Sequence, residues 1–156
     1  MKYKIWRWSF IILIFVSCED RDYHTFSDKT WNSEERVQFD IEVEDSTAYY
    51  FTNISVRHTT SYKYQNIIMF SHHYFDGKKI KTDTVEILLS KKNGRWIGTG
   101  KNDIKEVTHT LKERSRYRQG PHRFILELAM RKNELLKINE LTDISDIVIY
   151  LTKDDK

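Results

Sequence analysis

An unbroken alternation of apolar and polar side chains over residues 37–43 constrains the fold more than any other feature of the chain. The apolar members are Val37, Phe39, Ile41 and Val43, and every residue between them is polar or charged. Successive side chains of a β-strand point to opposite faces of its sheet, so this period of two predicts a strand with one buried and one solvated face.

Short apolar segments of the same kind recur along the rest of the chain. Asp76-Gly77 and Asn93-Gly94 favour tight hairpin turns because they tolerate positive φ, and Gly120-Pro121 is expected to separate two strands. Roughly eight strands at such short intervals predict an all-β fold, a single antiparallel β-sandwich of the immunoglobulin-like or jelly-roll-like kind. The further strand candidates are 50–56, 67–70, 85–89, 95–97, 104–111, 124–130 and 147–151.

Two of these segments need comment. Residues 67–70 are apolar on both faces, as expected of a central strand. The segment 124–141 admits two interpretations, because its composition and four apolar residues at helical spacing also fit a helix. We predict a strand to about Arg131, then a turn or short helix through Leu141. The four apolar residues are Phe124, Leu128, Leu135 and Ile138.

The N-terminus has the parts of a secretory signal peptide. Lys2, Lys4 and Arg7 precede eight largely apolar positions, 9–16, and even counted from Ile5 the apolar stretch is about 12 residues, whereas a membrane-spanning helix needs about 20. A small residue then precedes Cys18, the only cysteine of the chain. This setting is typical of bacterial lipoprotein precursors, so we expect residues 1–17 to be removed and Cys18 to receive a diacylglyceryl group and an N-acyl chain. An ordinary secretory signal is the alternative.

Removal of the signal peptide changes the charge balance. The chain has 26 Lys and Arg against 23 Asp and Glu, and three of the cations lie in residues 1–17, so the mature chain is balanced. A balanced surface lacks the clustered cations that nucleic acid requires, and no nucleic-acid partner is expected. About 139 residues remain, enough for one core. We expect a lipidated, acidic tether at 18–29 that stands off the bilayer, and one β-sandwich domain at 30–156.

No motif predicts catalysis, a cofactor or a metal site. His72 and His73 are adjacent, so a strand directs them to opposite faces, and His72 would need partners such as His58 or His109 from neighbouring strands. No G-x-S-x-G, H-E-x-x-H or glycine-rich phosphate loop is present, and lipidation removes the only thiol. We therefore expect no enzyme activity, no cofactor and no metal.

Two weaker features suggest surface contacts or modification. Tyr62 and Tyr64 lie in a polar segment and are the aromatic residues expected to be most exposed, as contacts for a sugar or a protein. Aromatic residues that close the ends of the core are the alternative interpretation. Ser46 and Thr84 each follow an aspartate in a tripeptide that resembles the O-glycosylation acceptor of some Gram-negative gliding and gut bacteria, and both are candidate acceptors.

Distributed motifs follow one another in order along most of the chain. They are the lipobox at Cys18, Tyr23-His24-Thr25-Phe26, the stretch Trp31 to Val43, Phe75-Asp76-Gly77-Lys78, Asp83-Thr84-Val85-Glu86, Gly94 to Gly100, Asp103 to Glu106, Gly120 to Phe124, Ala129-Met130-Arg131 and Ile144. In this order they resemble the GldH family of gliding-motility lipoproteins.

The resemblance implies a lipid-anchored structural or interaction subunit of the bacterial gliding apparatus, a system tied to type IX protein secretion. It implies a place in the cell envelope, on the periplasmic side or at the outer membrane, with protein partners in the gliding machinery and no catalysis. A surface glycan-binding sandwich is the alternative function, and it predicts two or three exposed, roughly coplanar aromatic residues on one sheet face.

Overall fold

The computed structural model of the protein describes residues 21–132 and 136–154, and nearly all of its regular structure is β-strand. The signal peptide, Cys18 and the first residues of the expected tether lie outside the described residues. The strands are β1 (His24–Thr25), β2 (Thr30–Asn32), β3 (Arg36–Val43), β4 (Tyr50–Thr59), β5 (Asn66–Phe75), β6 (Lys78–Leu88), β7 (Ile104–Ser115), β8 (Gly120–Leu128), β9 (Arg131–Lys132), β10 (Leu136–Lys137), β11 (Glu140–Thr142) and β12 (Ile144–Lys153).

Two four-stranded antiparallel sheets make the body of the protein. Sheet I has the order β1-β12-β4-β7, and sheet II has the order β3-β8-β5-β6. Two small ribbons, β2–β11 and β9–β10, lie outside these sheets. The prediction of an all-β antiparallel sandwich is confirmed. The only helical element in the described part of the chain is a 3-10 turn at Ser27–Lys29, and no helix there is long and apolar enough to cross a bilayer.

The alternating apolar residues of the segment 37–43 contribute side chains to the core between the two sheets. Val37 and Val43 of β3 are 1% and 2% exposed, while Gln38 and Glu42 between them face solvent. β3 pairs with β8, which buries Phe124, Leu126 and Leu128 by the same rule. Sheet I contributes Ile54, Val56, Ile147 and Ile149 from the other side.

The two ends of the sandwich are closed differently. At one end, here called the Trp31 end, the indole of Trp31 is fully buried, stacks on Phe26 at 5.1 Å between ring centroids and donates to Glu35 O at 3.0 Å. The opposite end, here called the Tyr117 end, holds the connections 44–49, 76–77 and 116–119. There Tyr117 is buried and its hydroxyl hydrogen-bonds to Thr52 Oγ1, joining the β7–β8 connection to sheet I.

Turn chemistry is confirmed at one predicted hairpin and only in part at the other. Asp76 and Gly77 have φ of 49° and 71°, as a two-residue turn with both φ positive requires, and they join β5 to β6. Asn93-Gly94 also turns the chain, since Gly94 N donates to Lys91 O at 2.9 Å. The strand predicted at 95–97 is reduced to a single bridge between Trp96 and Ser90, flanked by hydrogen bonds of 2.8 Å from Lys91 N to Arg95 O and from Ile97 N to Leu89 O.

Two predictions around β8 are corrected. Gly120-Pro121 does not separate strands: β8 begins at Gly120, and the chain turns earlier, at 116–119. Of the two alternatives predicted through Leu141, a turn or a short helix, the helix is not found in the described residues, which form β10 and β11. The apolar positions 124 and 128 that suggested a helix also belong to a series of period two, Phe124, Leu126, Leu128 and Met130, and all four are buried. Burial along this series and pairing with neighbouring strands outweigh helix propensity.

Candidate interaction surfaces

The segment predicted as a tether, 18–29, is held against the sandwich as far as the structure describes it. The guanidinium of Arg21 lies 4.2 Å from the centre of the Tyr150 ring. β1 pairs with β12, and Phe26 is 3% exposed within the core. Cys18 itself lies outside the described residues, so its lipidation stays a prediction.

The two candidate glycosylation acceptors are both exposed. Ser46 lies in the connection between β3 and β4, beside Asp45, whose carboxylate accepts hydrogen bonds from Thr47 and Lys153. Thr84 lies on β6, the edge strand of sheet II, and its side chain faces solvent although its backbone belongs to the ladder. Accessibility is a condition for modification, and both sites meet it. Their glycosylation stays a prediction.

The expectation of an exposed aromatic side chain is wrong for Tyr62. This residue is 4% exposed, and its hydroxyl donates to Asn66 O at 2.9 Å. Burial raises the pKa of Tyr62 far above its ordinary value. Tyr64 is half-buried and makes an edge contact with Tyr62, with ring centroids 5.7 Å apart. Both side chains therefore pack against the core.

The structure does not bring the suggested histidine partners together. His72 lies on the outer face of sheet II, where Nδ1 is 2.9 Å from Thr82 Oγ1 and Nε2 is 3.5 Å from Glu127 Oε2. His58 and His109 belong to sheet I, on the other side of the core. Among residues 21–132 and 136–154, no group of three or more His, Cys, Asp or Glu side chains is arranged to hold a metal ion.

A different histidine pair, missed in the sequence, lies inside the Tyr117 end. His122 Nε2 is 2.8 Å from Arg118 O, and a carbonyl only accepts, so this nitrogen carries a proton. His122 Nδ1 therefore accepts from His73 Nε2 at 2.9 Å. Burial, with His122 and Lys112 nearby, lowers the pKa of His73 to about 4. The pairing of Phe75 with His122 in the β5–β8 ladder brings both rings to this end, a contact that no sequence spacing reveals.

The His73–His122 pair is packed as part of the interior. The ring of His73 stacks on Phe124 at 4.3 Å and an angle of 5°, and Tyr117 meets both imidazoles edge-on. In the described residues, neither imidazole hydrogen-bonds to a carboxylate or to a hydroxyl that it could activate. The pair closes the end of the sandwich and offers no constellation for acid–base or nucleophilic catalysis.

Partly exposed apolar side chains lie together on the outer face of sheet II. β5 is a central strand of its sheet, and its outward apolar side chains are only half-buried. Leu88 of the neighbouring β6 is 56% exposed on the same face, and the other members are half-buried. We call this surface the β5 stripe, and its members are Ile68, Phe70, Tyr74, Leu88 and Ile125.

Shallow depressions and charged pairs border the β5 stripe. One depression of about 360 Å³ adjoins Tyr74 and Ile125, and another of about 300 Å³ adjoins Phe70. Two pairs of charged neighbours are joined to each other. Arg123 Nε lies 2.7 Å from Asp40 Oδ1, and Arg36 Nη2 lies 3.1 Å from Glu127 Oε2. An apolar centre with a polar rim is the composition of a protein contact surface.

The outer face of sheet I is polar and internally satisfied, in contrast to sheet II. Glu106 accepts from Tyr23 Oη at 2.7 Å and from Arg57 Nε at 2.9 Å, and the Arg57 guanidinium lies over the Tyr23 ring. Burial opposes ionisation of Glu106, but these hydrogen bonds and the arginine charge leave its pKa lowered. The polar groups of this face hydrogen-bond to one another, so the outer face of sheet II is the better candidate for contact with a partner.

Fold and surfaces together define a class: a β-sandwich with packed interior histidines, whose exposed apolar side chains gather on one sheet face. Comparison with known proteins identifies the family within this class. The family model described as GldH lipoprotein matches residues 20–148. The chain belongs to the GldH lipoprotein family, as its ordered motifs indicated.

Individual relatives are similar over nearly their whole length. The gliding motility lipoprotein GldH homolog of Christiangramia forsetii is 31% identical over 152 residues, covering 94% of this chain and 93% of that protein. The gliding motility lipoprotein GldH of Flavobacterium johnsoniae is 26% identical over 148 residues, covering 92% of each. No solved structure matches the chain.

Proposed function

We propose that this protein is a lipid-anchored, non-catalytic contact subunit of the gliding motility apparatus, and that it binds a protein partner through the β5 stripe. Membership of the GldH lipoprotein family supports a role in gliding motility and a place in the cell envelope. The tie of that apparatus to type IX secretion, and the partners within it, belong to the proposal.

The observation that carries the proposal is the β5 stripe. Isolated apolar side chains are normal on a protein surface, but a contiguous set with a polar rim marks a contact site. Phe70 and Tyr74 supply rigid aromatic area, which dominates the energy of many interfaces. Two pairs of charged neighbours, Arg36 with Glu127 and Arg123 with Asp40, are joined to each other, so a partner would cover the stripe without leaving one of those four charges unpaired.

The anchor part of the proposal places residues 1–17 in the signal peptide and lipid on Cys18. Because Arg21 and β1 are packed on the sandwich, we propose a tether confined to the few residues around Glu19 and Asp20. The domain then begins at about Arg21 and not at residue 30.

The contact surface is tested by the pair Phe70→Asn and Leu88→Asn in one variant. We expect slower gliding and loss of the protein that co-purifies with the lipoprotein from gliding cells, with little change in melting temperature because both sites face outward. Ile80→Asn is the matched control for co-purification alone: Ile80 is also 56% exposed and also lies on β6, but outside the β5 stripe. Unchanged co-purification in the Phe70/Leu88 variant would refute the assigned surface.

The anchor is tested independently by Cys18→Ser. The variant should fold, with the melting temperature of the parent domain, yet separate from membranes on fractionation and fail to support gliding. A variant that stays with the membrane and still supports gliding would contradict lipidation at this residue.

A glycan-binding role is the second candidate, since Phe70, His72 and Tyr74 project from the same face of β5. Sugar rings stack on such aromatic faces. A panel of polysaccharides added to the purified protein distinguishes the two functions: a ligand that raises the melting temperature, and fails to do so in Tyr74→Ala, would favour glycan binding over a protein partner.

A further inference from the structure

We propose that the Tyr117 end of the sandwich lies against the anionic phospholipid headgroups of the membrane that holds the anchor. This inference rests on the lipidation of Cys18 in the proposed function. It adds an orientation: one end of the domain touches the bilayer and the β5 stripe faces sideways, parallel to the membrane.

The N-terminal segment runs along β12 toward the Tyr117 end. β1 runs antiparallel to β12, with His24 opposite Ile147, and Arg21 lies over Tyr150. Followed toward its N-terminus, the chain therefore runs along β12 toward Lys153, which pairs with Tyr50 at the Tyr117 end. Two residues separate Arg21 from Cys18, so the lipid attachment lies within about 10 Å of Arg21 along the chain. A tether this short keeps the Tyr117 end near the bilayer.

The Tyr117 end carries a group of cationic side chains. Seven cations occur there on the β5–β6 turn, the end of β7 and the β7–β8 connection, and we call them the basic patch. Two are neutralised locally, Lys81 by Asp83 at 2.6 Å and Arg114 by Asp154 at 2.8 Å. The other five are exposed and form no ion pair with a carboxylate of the described residues: Lys78, Lys79, Lys112, Arg116 and Arg118.

The surroundings of these five cations keep the excess charge positive. Asp76 and Glu113 are the unpaired acidic side chains of the same segments, which leaves three positive charges on the side of β6 and β7, and the exposed Glu42 and Glu44 on the β3 side reduce the excess over the whole Tyr117 end to one. Several cations are also seated on aromatic rings: Arg116 lies 4.6 Å from the centre of Tyr49, Arg118 5.7 Å from Phe75 and Lys112 5.2 Å from Tyr117. Ring contacts of this kind restrict long side chains and hold their charges at the surface.

Ile80 adds an apolar component in the middle of this charge. It lies on β6 between Lys79 and Lys81 and is 56% exposed, so its side chain is accessible from outside the domain. Basic residues attract an anionic leaflet within a Debye length, and an apolar side chain among them can enter the headgroup layer. Cations, one exposed isoleucine and the emerging anchor thus share one end of the molecule.

The test uses the lipidated protein reconstituted into vesicles of phosphatidylcholine alone, or of equal parts phosphatidylcholine and phosphatidylglycerol. Flotation first reports whether the lipid anchor holds the protein. Acetylation of lysines by a water-soluble reagent then compares Lys78, Lys79 and Lys112 with Lys91, Lys92 and Lys101, exposed lysines at the Trp31 end. We expect severalfold slower acetylation of the first three lysines in the anionic vesicles only. The acetylation rate of the second three should be the same in both kinds of vesicle.

Charge-reversal variants sharpen the result. Lys78→Glu, Lys79→Glu and Arg116→Glu together should lower the docking equilibrium constant by about a hundredfold or more and restore acetylation of Lys112. The same change at Lys91, Lys92 and Lys101 should leave Lys112 protected.

Each other outcome overturns the proposal in a distinct way. Protein that floats but acetylates uniformly keeps its anchor and loses the proposed orientation. Protection in neutral vesicles as well would indicate contact between copies of the protein instead of with lipid. Protein that does not float removes the anchor and the orientation together.

Discussion

Gly98→Ala should be among the most destabilising single substitutions in this protein. Gly98 has φ of +91°, and an added Cβ would lie 2.1 Å from Glu106 O and 2.9 Å from Val107 Cγ2. The nearby bridge between Thr99 and Glu106 consists of two backbone hydrogen bonds, of 3.1 Å and 2.7 Å. Relief of the contact requires a movement of more than 1 Å to reach ordinary separation, and that movement breaks the bridge.

The expected cost follows from these contacts. Positive φ costs alanine about 1–2 kcal/mol relative to glycine, and each lost backbone hydrogen bond costs about 1 kcal/mol. Together they predict a loss of about 3–4 kcal/mol from the free energy of unfolding, a large share of the 5–15 kcal/mol typical of a domain. Gly94→Ala is the matched control, since Gly94 has φ of +79° but an added Cβ would meet nothing within 4 Å.

Urea unfolding of the parent and the two variants measures the difference directly. Gly94→Ala should lose about 1 kcal/mol, from the backbone conformation alone, and Gly98→Ala at least about 2 kcal/mol more. The two glycines are four positions apart in the same segment, so unfolded-state effects of adding a methyl group are shared. Equal losses in the two variants would show that the close approach of the 98–100 segment to β7 does not determine stability.

Three further substitutions or conditions test the interior. His73 should lower the free energy of unfolding by about 3 kcal/mol between pH 6.5 and pH 4, because its lowered pKa means that only the unfolded chain takes up its proton in that window. Burial lowers the pKa of His58 and His109 as well, so they add to the fall, and His73→Gln should reduce the slope of the urea midpoint against pH without abolishing it; an unchanged slope would contradict the role of His73. His58→Phe should change the free energy of unfolding by less than about 1 kcal/mol, because it loses the hydrogen bond from Nδ1 to Thr59 O but also removes a buried Nε2 without a partner among the described residues. A loss twice as large would show that Nε2 has a partner, such as a bound water. Tyr117→Phe should cost about 1–2 kcal/mol by thermal melting, because it leaves the buried Thr52 hydroxyl unpaired, and no loss would mean that water replaces the phenol.

Local pattern predicted most of the sandwich because its strands are encoded residue by residue. The period of two in β3 and at 124–130 fixes which side chains enter the core, and Asp76-Gly77 fixes a turn through the φ values it permits. The fold class follows from these local rules without knowledge of the partner strands.

Features that depend on distant parts of the chain were not accessible in this way. β1 pairs with β12 although more than a hundred residues separate them in the chain. A strand of two residues is too short to show a hydrophobic period that could predict the pairing. Tyr62 is buried because its hydroxyl reaches Asn66 O, which a polar neighbourhood in sequence does not indicate. Residues 67–70 do lie in a central strand, as predicted, but composition reports the hydrophobicity of a side chain and not whether another layer covers it, so the partly exposed outer face of β5 could not be foreseen.

The two-residue pairing of β1 has a mechanical consequence. A force applied at the N-terminus enters the sandwich through Arg21 and β1, and β1 is joined to β12 by only two pairs, His24 with Ile147 and Thr25 with Asp146. Behind them the load meets Phe26, locked in the core against Trp31, and β12 is joined to β4 by nine register pairs. Under tension the two pairs between β1 and β12 should therefore break first and reversibly, while the two sheets stay intact. A sudden pull on the N-terminus would then be absorbed by the N-terminal segment before the body of the domain is strained.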